Sequence, residues 1–369
     1  MSAELSQKFP PAFYRRYLVG GLSPTDIDEM LGNGWFRNDM MVCSMSIKPW
    51  QGGWRSSLML RIPLRGFTWK KRLRKVLRRN RELFSVQIQP FVTSAAKEKL
   101  WQKFKTKVHG WGFVPPLAKH LFKEKTATDF QTWEVNVFYR GSLVAFSVFD
   151  RGATSLASLE AAYDPDFSRY SLGMYTMLME IEFASTEGMA FYYPGFIPKG
   201  ESMFEYKLRP GNVQFFRLRE QQWVSWENLQ ADDWQLETVM RRLGDVSQAL
   251  KLANVLSFPS YGLFIHEPYE ALSPVHFNIQ LAVLDPGNPA GTDQRLVAWD
   301  PVAQCYLVFR ASLLHNLPFA RYIERQQWLF LLDIRSFELV DKTSDALEAA
   351  ALTMDVGKNQ GPGKWFFPK

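Results

Sequence analysis

The chain has 369 residues, of which 46% are hydrophobic and 15% aromatic, and a formal net charge of +7. That length and apolar content support two or three packed cores and exclude global disorder. Cys43 and Cys305 are too few for a disulfide framework or a cysteine-rich metal site. No apolar run reaches the roughly 18 residues of a spanning helix, and residues 1–13 lack the apolar core of a secretory signal, so a reduced, cytoplasmic setting is expected.

Residues 1–92 read as a basic, aromatic N-terminal module. Ser23 and Pro24 mark a helix start, with Ser23 as N-cap and Pro24 in the first helical position; the helix ends near Gly32. Arg61-Ile62-Pro63-Leu64 reads as a short strand. Between Trp69 and Arg81, Trp69, Leu73, Val76 and Leu77 recur at helical spacing. Lys70, Lys71, Arg72, Arg74, Lys75, Arg78, Arg79 and Arg81 cover the remaining face. These cations meet only Glu82 nearby, so their repulsion calls for an outside polyanion. Charge alone does not separate tRNA from mRNA, DNA or an anionic membrane, although a membrane helix would carry a wider apolar face. Phe84 to Val92 alternates as a strand.

Residues 93–225 form the predicted catalytic segment. A second basic helix, 94–109, carries Trp101 and Phe104. Trp133 to Tyr139 alternates as a strand, Arg140-Gly141 gives a hairpin turn, and Leu143 to Asp150 returns. Ser155 to Tyr163 is a third strand, Ser171 to Glu187 a helix stopped by Gly188, and Ala190 to Tyr193 a short buried strand. Hairpin, strand, helix and strand follow in the order of an acetyltransferase-like (GNAT) α/β core. Residues 226–369 then read as a mixed α+β extension. Its predicted helices are Asp233–Val255 and Asp345–Leu352, its strands lie near 281–284, 295–299 and 305–309, and the apolar run Gln327–Asp333 is expected to be buried.

Chemistry concentrates between Glu160 and Gly211. Tyr163-Asp164-Pro165-Asp166 is a turn at a strand end facing a helix start, where open α/β sheets place ligands. Its two carboxylates can hold a cationic amine or take a proton from an amine nucleophile. Ser171-Leu172-Gly173 opens the helix, capped by Ser168 or Ser171, and its free N–H groups favour an anion. A CoA user would show glycines spaced as R/Q-x-x-G-x-G/A; Arg169-Tyr170-Ser171-Leu172-Gly173-Met174 lacks that spacing, which argues against CoA. Lys207 beside Tyr206 is either a surface pair or a contact to a terminal nucleotide or acyl oxygen. The five histidines show no metal-ligand spacing.

Tyr163 to Gly173, Phe191-Tyr192-Tyr193-Pro194-Gly195-Phe196 and Met203-Phe204-Glu205-Tyr206-Lys207 together resemble the catalytic half of arginyl-tRNA–protein transferases. Phe196 replaces that family's usual second tyrosine. Gly34-Trp35-Phe36-Arg37 and Arg61-Ile62-Pro63-Leu64 agree more loosely. The resemblance implies a GNAT-like enzyme that moves an aminoacyl group, arginine by default and leucine in some bacterial relatives, from tRNA to a protein N-terminus. It places Asp164, Asp166, Ser171, Tyr193 and Lys207 around the acyl-transfer site, and Tyr163, Arg169, Gly173, Gly195 and Tyr206 in the acyl pocket. Asp164 or Asp166 would accept the amine's proton, the helix start at Ser171 would hold the oxyanion, and Lys207 would steady the 3′-terminal nucleotide. Lys70, Lys71, Arg72, Arg74, Lys75, Arg78 and Arg79 would face the acceptor arm. The implied partners are aminoacyl-tRNA and an acceptor protein or peptide, with no membrane. Many members carry an N-terminal cysteine cluster for an iron–sulfur centre; with Cys43 alone in that half, none is expected, and no cofactor is implied. Two alternatives stay open: a GNAT enzyme with another donor, and a non-catalytic RNA binder.

Overall fold

The computed structural model describes residues 13–50, 53–123, 125–253, 257–265, 275–283, 293–313 and 330–354. The chain is mixed α/β and divides into two compact units. The first comprises residues 1–50, 54–236 and 266–276, and the second residues 51–53, 237–265 and 277–369.

In the first unit β1 (Tyr14–Leu18), α1 (Pro24–Gly32), β2 (Phe36–Asn38), β3 (Met41–Met45), β4 (Ile47–Trp50) and β5 (Gly53–Pro63) come first. Then follow α2 (Lys71–Arg81), β6 (Ser85–Pro90), α3 (Ala95–His109), α4 (Leu117–Phe122), β7 (Thr132–Tyr139), β8 (Ser142–Arg151) and β9 (Ser155–Tyr163). The unit closes with α5 (Leu172–Thr186), β10 (Phe191–Pro198), β11 (Gln214–Arg217) and β12 (Gln222–Ser225). The main sheet runs β12-β11-β5-β10-β9-β8-β7-β6, with β4 beside β5. Residues 1–92 and 93–225, set apart in the sequence, thus share one sheet, because β5 and β6 flank β7–β10.

Local chemistry explains the elements. Ser23 and Asp26 form a reciprocal capping box on α1. Ser94 caps α3, and Gly110 ends it in the left-handed conformation, φ 67°. Arg140 and Gly141 both have positive φ, 49° and 81°, as a two-residue hairpin turn requires. Alternation along β7 shows that both sheet faces are covered. The Trp133 ring packs 5.8 Å from Phe183 of α5, while Glu134 binds Lys97 of α3 at 2.6 Å. Leu73 and Leu77 of α2 join Tyr175, Leu178 and Ile181 of α5 in the core over the sheet.

Three segments differ from the sequence expectation. β10 does not stop at Tyr193: it runs to Pro198, because Gly195 adopts φ 83° and the pairing with β5 shifts register between Tyr192 and Gly195. The Asp164-Pro165-Asp166 turn opens a 3-10 helix, Pro165–Tyr170, with Asp164 as its cap. Tyr206 and Lys207 also lie in a 3-10 helix, Ser202–Leu208.

The second unit holds α6 (Gln235–Leu252), β13 (Ser257–Ile265), most of β14 (Val275–Val283), β15 (Asp293–Asp300), β16 (Cys305–Leu313), β17 (Phe330–Thr343) and α7 (Ala346–Met354). β14 through β17 pair antiparallel in chain order, and β13 joins β17 in parallel. Tyr306 Oη donates to Arg242 O at 3.1 Å, and the Arg242 guanidinium lies 4.6 Å from the Trp299 ring, which seats α6 on this sheet. The side chains of Gln327–Asp333, expected to be buried, lie outside the described residues. Among the described residues no helix is long and apolar enough to cross a membrane.

Candidate active site

The central irregularity of the main sheet lies between β9 and β10. The two strands are parallel and pair only from Phe191↔Ser155 to Tyr193↔Ala157. Beyond Tyr193 the pairing with β9 ends, while on its other edge β10 stays paired with β5 across a register shift between Tyr192 and Gly195. The strands therefore part, and their facing backbone groups need other partners. Lys207 supplies one: its Nζ donates to Phe196 O at 2.9 Å. A Cβ built on Gly195 would lie 3.5 Å from Lys207 Nζ and 3.7 Å from Ser158 O, so the ammonium nitrogen sits where β10 leaves β9. The space would take a Cβ at ordinary contact, so it is the φ of 83° that favours glycine here.

Acids and bases converge on this gap from both sheet faces. On the α5 face Glu180 is fully buried and accepts from Tyr192 Oη at 2.7 Å. Burial lifts its carboxyl to about 7, against hydrogen bonds from Ser147, Tyr192 and Ser158. On the α3 face the β9 register slips between Ser158 and Glu160 and turns Glu160 toward α3. Glu160 binds Lys105 Nζ at 2.9 Å and His120 Nε2 at 3.0 Å. Burial alone would raise the Glu160 carboxyl, but Lys105 and His120 together hold it well below the usual range. Lys105 is itself caged, 4.3 Å from the Trp101 ring and 4.7 Å from the Trp111 ring. Lys48 of β4 is pulled below its ordinary value by burial, with Glu160 opposing. Lys207 is the most displaced of these bases: burial and then Lys48 lower it to about 7, while Glu160 and Glu180 pull the other way.

The sequence-predicted residues divide among separate places. Lys207, Gly195 and Tyr206 come together at the gap; burial, then the carboxylates of Glu180 and Glu160, push the Tyr206 phenol up. Tyr163 packs 4.8 Å from Phe104 and beside Gly173 at the start of α5. Asp164 and Asp166 both bind Lys103 of α3, at 2.5 and 2.8 Å. The Lys103 hydrogen bond, then its charge, lowers the Asp166 carboxyl, which weakens it as a base. Arg169 stacks on Tyr170 at 4.8 Å. Ser171 takes φ 55° at the α5 start and its side chain makes no capping bond there. Tyr193 faces away from Glu180: its neighbour Tyr192 takes that side, and the Tyr193 ring packs 5.4 Å from Trp223. Burial raises the Tyr193 phenol to about 12, with Arg61 opposing.

Glu160, Lys105, His120, Glu180 and Lys48 were not singled out from the sequence. A signal existed. Glu160 is a lone acid inside an apolar strand, Lys105 lies on the helical stripe of Trp101 and Phe104, and Glu180 interrupts the apolar run of α5. Such interruptions of a buried face mark paired or functional charges.

The basic helix α2 has the predicted layout. Leu73, Leu77 and Asn80 are buried, while Lys70, Lys71, Arg72, Arg74, Lys75, Arg78, Arg79 and Arg81 are exposed. Arg74, Arg78 and Arg81 line a cleft of about 470 Å³ with Trp69 and Glu182, on the α2 side of the unit rather than at the gap. Among the described residues no group of His, Cys, Asp and Glu side chains is arranged to hold a metal ion.

The family model described as Arginine-tRNA-protein transferase, C terminus, matches residues 96–216. That span holds α3, Glu160, Glu180 and Lys207. Residues 96–216 are thus similar to the C-terminal domain of an aminoacyltransferase family. Among its relatives, an aspartate/glutamate leucyltransferase of Leptospira interrogans is 24% identical over 48% of this chain and 71% of its own length. Another, of Methylobacterium nodulans, is 26% identical over 59% of this chain and 91% of its own length. The transferase match leaves out α2, which packs on the same core, and β4, the strand of Lys48, which pairs β5 of the same sheet. Among solved structures, FemX overlaps 50% of this chain and 63% of its own length at 8% identity and a TM-score of 0.33. The chain thus spans less than two thirds of that structure, and an overlap this small says nothing of function.

Proposed function

We propose that this protein transfers an amino acid from charged tRNA to the N-terminal amine of an acceptor protein, at the gap between β9 and β10 of a GNAT-like core. The hairpin, strand, helix and strand of β7–β10 support that reading of the core. The observation that carries the reaction is Lys207, held in the gap by Phe196 O with its pKa lowered to about 7.

The donor ester is already activated, so the protein has mainly to position it and move protons. The acceptor amine attacks the ester carbonyl, forming the C–N bond as the C=O electrons move to oxygen. Neutral Lys207 takes the proton from the resulting ammonium, and Glu160 and Glu180 favour its charged state. Collapse of the intermediate breaks the bond to the ribose oxygen, which leaves with the proton returned by Lys207. The N–H groups at the start of α5 are the candidate oxyanion donors. In this scheme Asp164 and Asp166 hold α3 to the 3-10 helix through Lys103 rather than act as the base.

The donor is proposed to be leucine and the acceptor to begin with an acidic residue, as the names of the relatives say of those proteins. Arginine is the second reading, favoured by the description of the matching family. The test is transfer of labelled leucine or arginine from charged tRNA to peptides beginning with Asp, Glu, Lys or Ala. Leucine on the Asp and Glu peptides is the expected product. Absence of transfer from either tRNA would sink the proposal.

A further inference from the structure

The α3–α4 loop carries a feature that the transfer scheme leaves unused. Phe113 is 81% exposed, yet its loop is pinned on both sides. Trp101 Nε1 donates to Pro115 O at 2.9 Å, Gln102 Nε2 donates to Val114 O at 3.1 Å, and Trp111 N donates to Lys105 O at 3.2 Å. A rigid loop that holds a phenyl ring in water has a partner to gain. Two residues earlier in the same loop, the Trp111 ring packs 6.0 Å from His120 and 4.7 Å from Lys105 Nζ, the two groups that bind Glu160. The ring platform therefore adjoins the candidate active site.

Cations lead from α2 to this loop. Arg79 donates to Tyr170 O at 2.9 Å and lies 5.6 Å from the Tyr170 ring, on which Arg169 also stacks at 4.8 Å. The same 3-10 helix, Pro165–Tyr170, is held by Lys103, and Lys107 acts on its Asp166. Lys107 is exposed one turn before the loop. Exposed arginine and lysine along a path, ending in rings at a reaction centre, suit a nucleic-acid backbone that finishes in unpaired bases.

We infer that Phe113, on the loop anchored by Trp111, stacks the unpaired 3′-terminal bases of the donor tRNA, while the path from Arg79 through Arg169 to Lys107 follows its phosphates. This rests on the proposed use of charged tRNA. Double-stranded acceptor stem needs no exposed ring, whereas a single-stranded end does, because every base offers a face to stack.

The test compares full-length tRNA with the same tRNA trimmed of its unpaired 3′ nucleotides, using the full chain and Phe113→Ala. Phe113 is exposed enough that the substitution leaves folding intact, which thermal unfolding checks. Intact tRNA should bind Phe113→Ala about tenfold more weakly, trimmed tRNA should bind both proteins alike, and Phe113→Trp should restore the loss. An equal effect on intact and trimmed tRNA, or no effect on either, overturns the inference. So does a rise confined to the KM of the acceptor peptide, which would give the loop to the protein substrate. If the trimmed-end difference holds while no amino acid is transferred, the catalytic reading fails and this site stands.

Discussion

Helices α2 and α3 are both lysine- and arginine-rich, and they use that charge in opposite ways. α2 keeps its cations in solvent around a narrow apolar stripe. α3 buries two of its own: Lys97 against Glu134 and Lys105 against Glu160, with Lys105 roofed by Trp101 and Trp111. An exposed charge costs little and acts at a distance through a salt-screened field. A buried charge must have a partner, and it changes the proton affinity of everything near it. In the proposed function the first arrangement attracts a polyanion and the second builds the reaction centre.

This contrast can be broken most directly at Lys207. Lys207→Met should lower the single-turnover transfer rate by about 10³-fold with tRNA affinity little changed, the range expected for a lost proton-transfer group. In the wild type that rate should rise as pH increases through about 7, because Lys207 must be neutral to accept the proton. Lys207→Arg, always charged, should be inactive and flatten the rise. Full activity in Lys207→Met would end the assignment.

Glu180 tests the energetic side. Its folded pKa of about 7 lies above the ordinary 4.5, so its contribution to stability is fully present below pH 4.5 and is lost as pH rises through 7. Glu180→Gln should therefore raise stability at pH 8 by roughly 3 kcal/mol and leave it unchanged near pH 4, read by denaturant unfolding at the two pH values.

The α2 side predicts a binding effect alone. Arg74→Ala combined with Arg78→Ala should weaken tRNA binding about tenfold at low salt and reduce the slope of log affinity against log salt by about 1.5–2. Saturating tRNA should restore the wild-type rate. A lower rate at saturation would mean that α2 acts on chemistry as well. The smallest effect is expected at Asp166→Asn, within about fivefold in rate, since its pairing with Lys103 is largely exposed. A loss of 10³-fold there would return the base to the acidic turn.

Much of the fold was legible. Capping at Ser23, the stripe of α2, the Arg140-Gly141 turn and the order of β7 to β10 all follow from local rules that neighbouring residues satisfy among themselves. Tyr206, Lys207 and Gly195, read together from the motif, also lie together in the structure. The acidic turn drew attention for the same local reasons, but its carboxylates are taken up by Lys103, 61 and 63 residues earlier in the chain, and no local pattern records that pairing. Glu160, Lys105 and Glu180 were hidden for the converse reason: each reads as one polar residue in an apolar element until its partner is known.

The sequence by itself determined the elements, the exposed basic face of α2 and the family that residues 96–216 resemble, since these depend on residues close together or on a linear motif. Tertiary structure alone decided which charges are buried and what they face. The parting of β9 from β10 brings Lys207 between Glu160 on one sheet face and Glu180 on the other, and it is removal from water, a property of packing, that lowers its pKa to about 7 and lets the proposed function use it as a base.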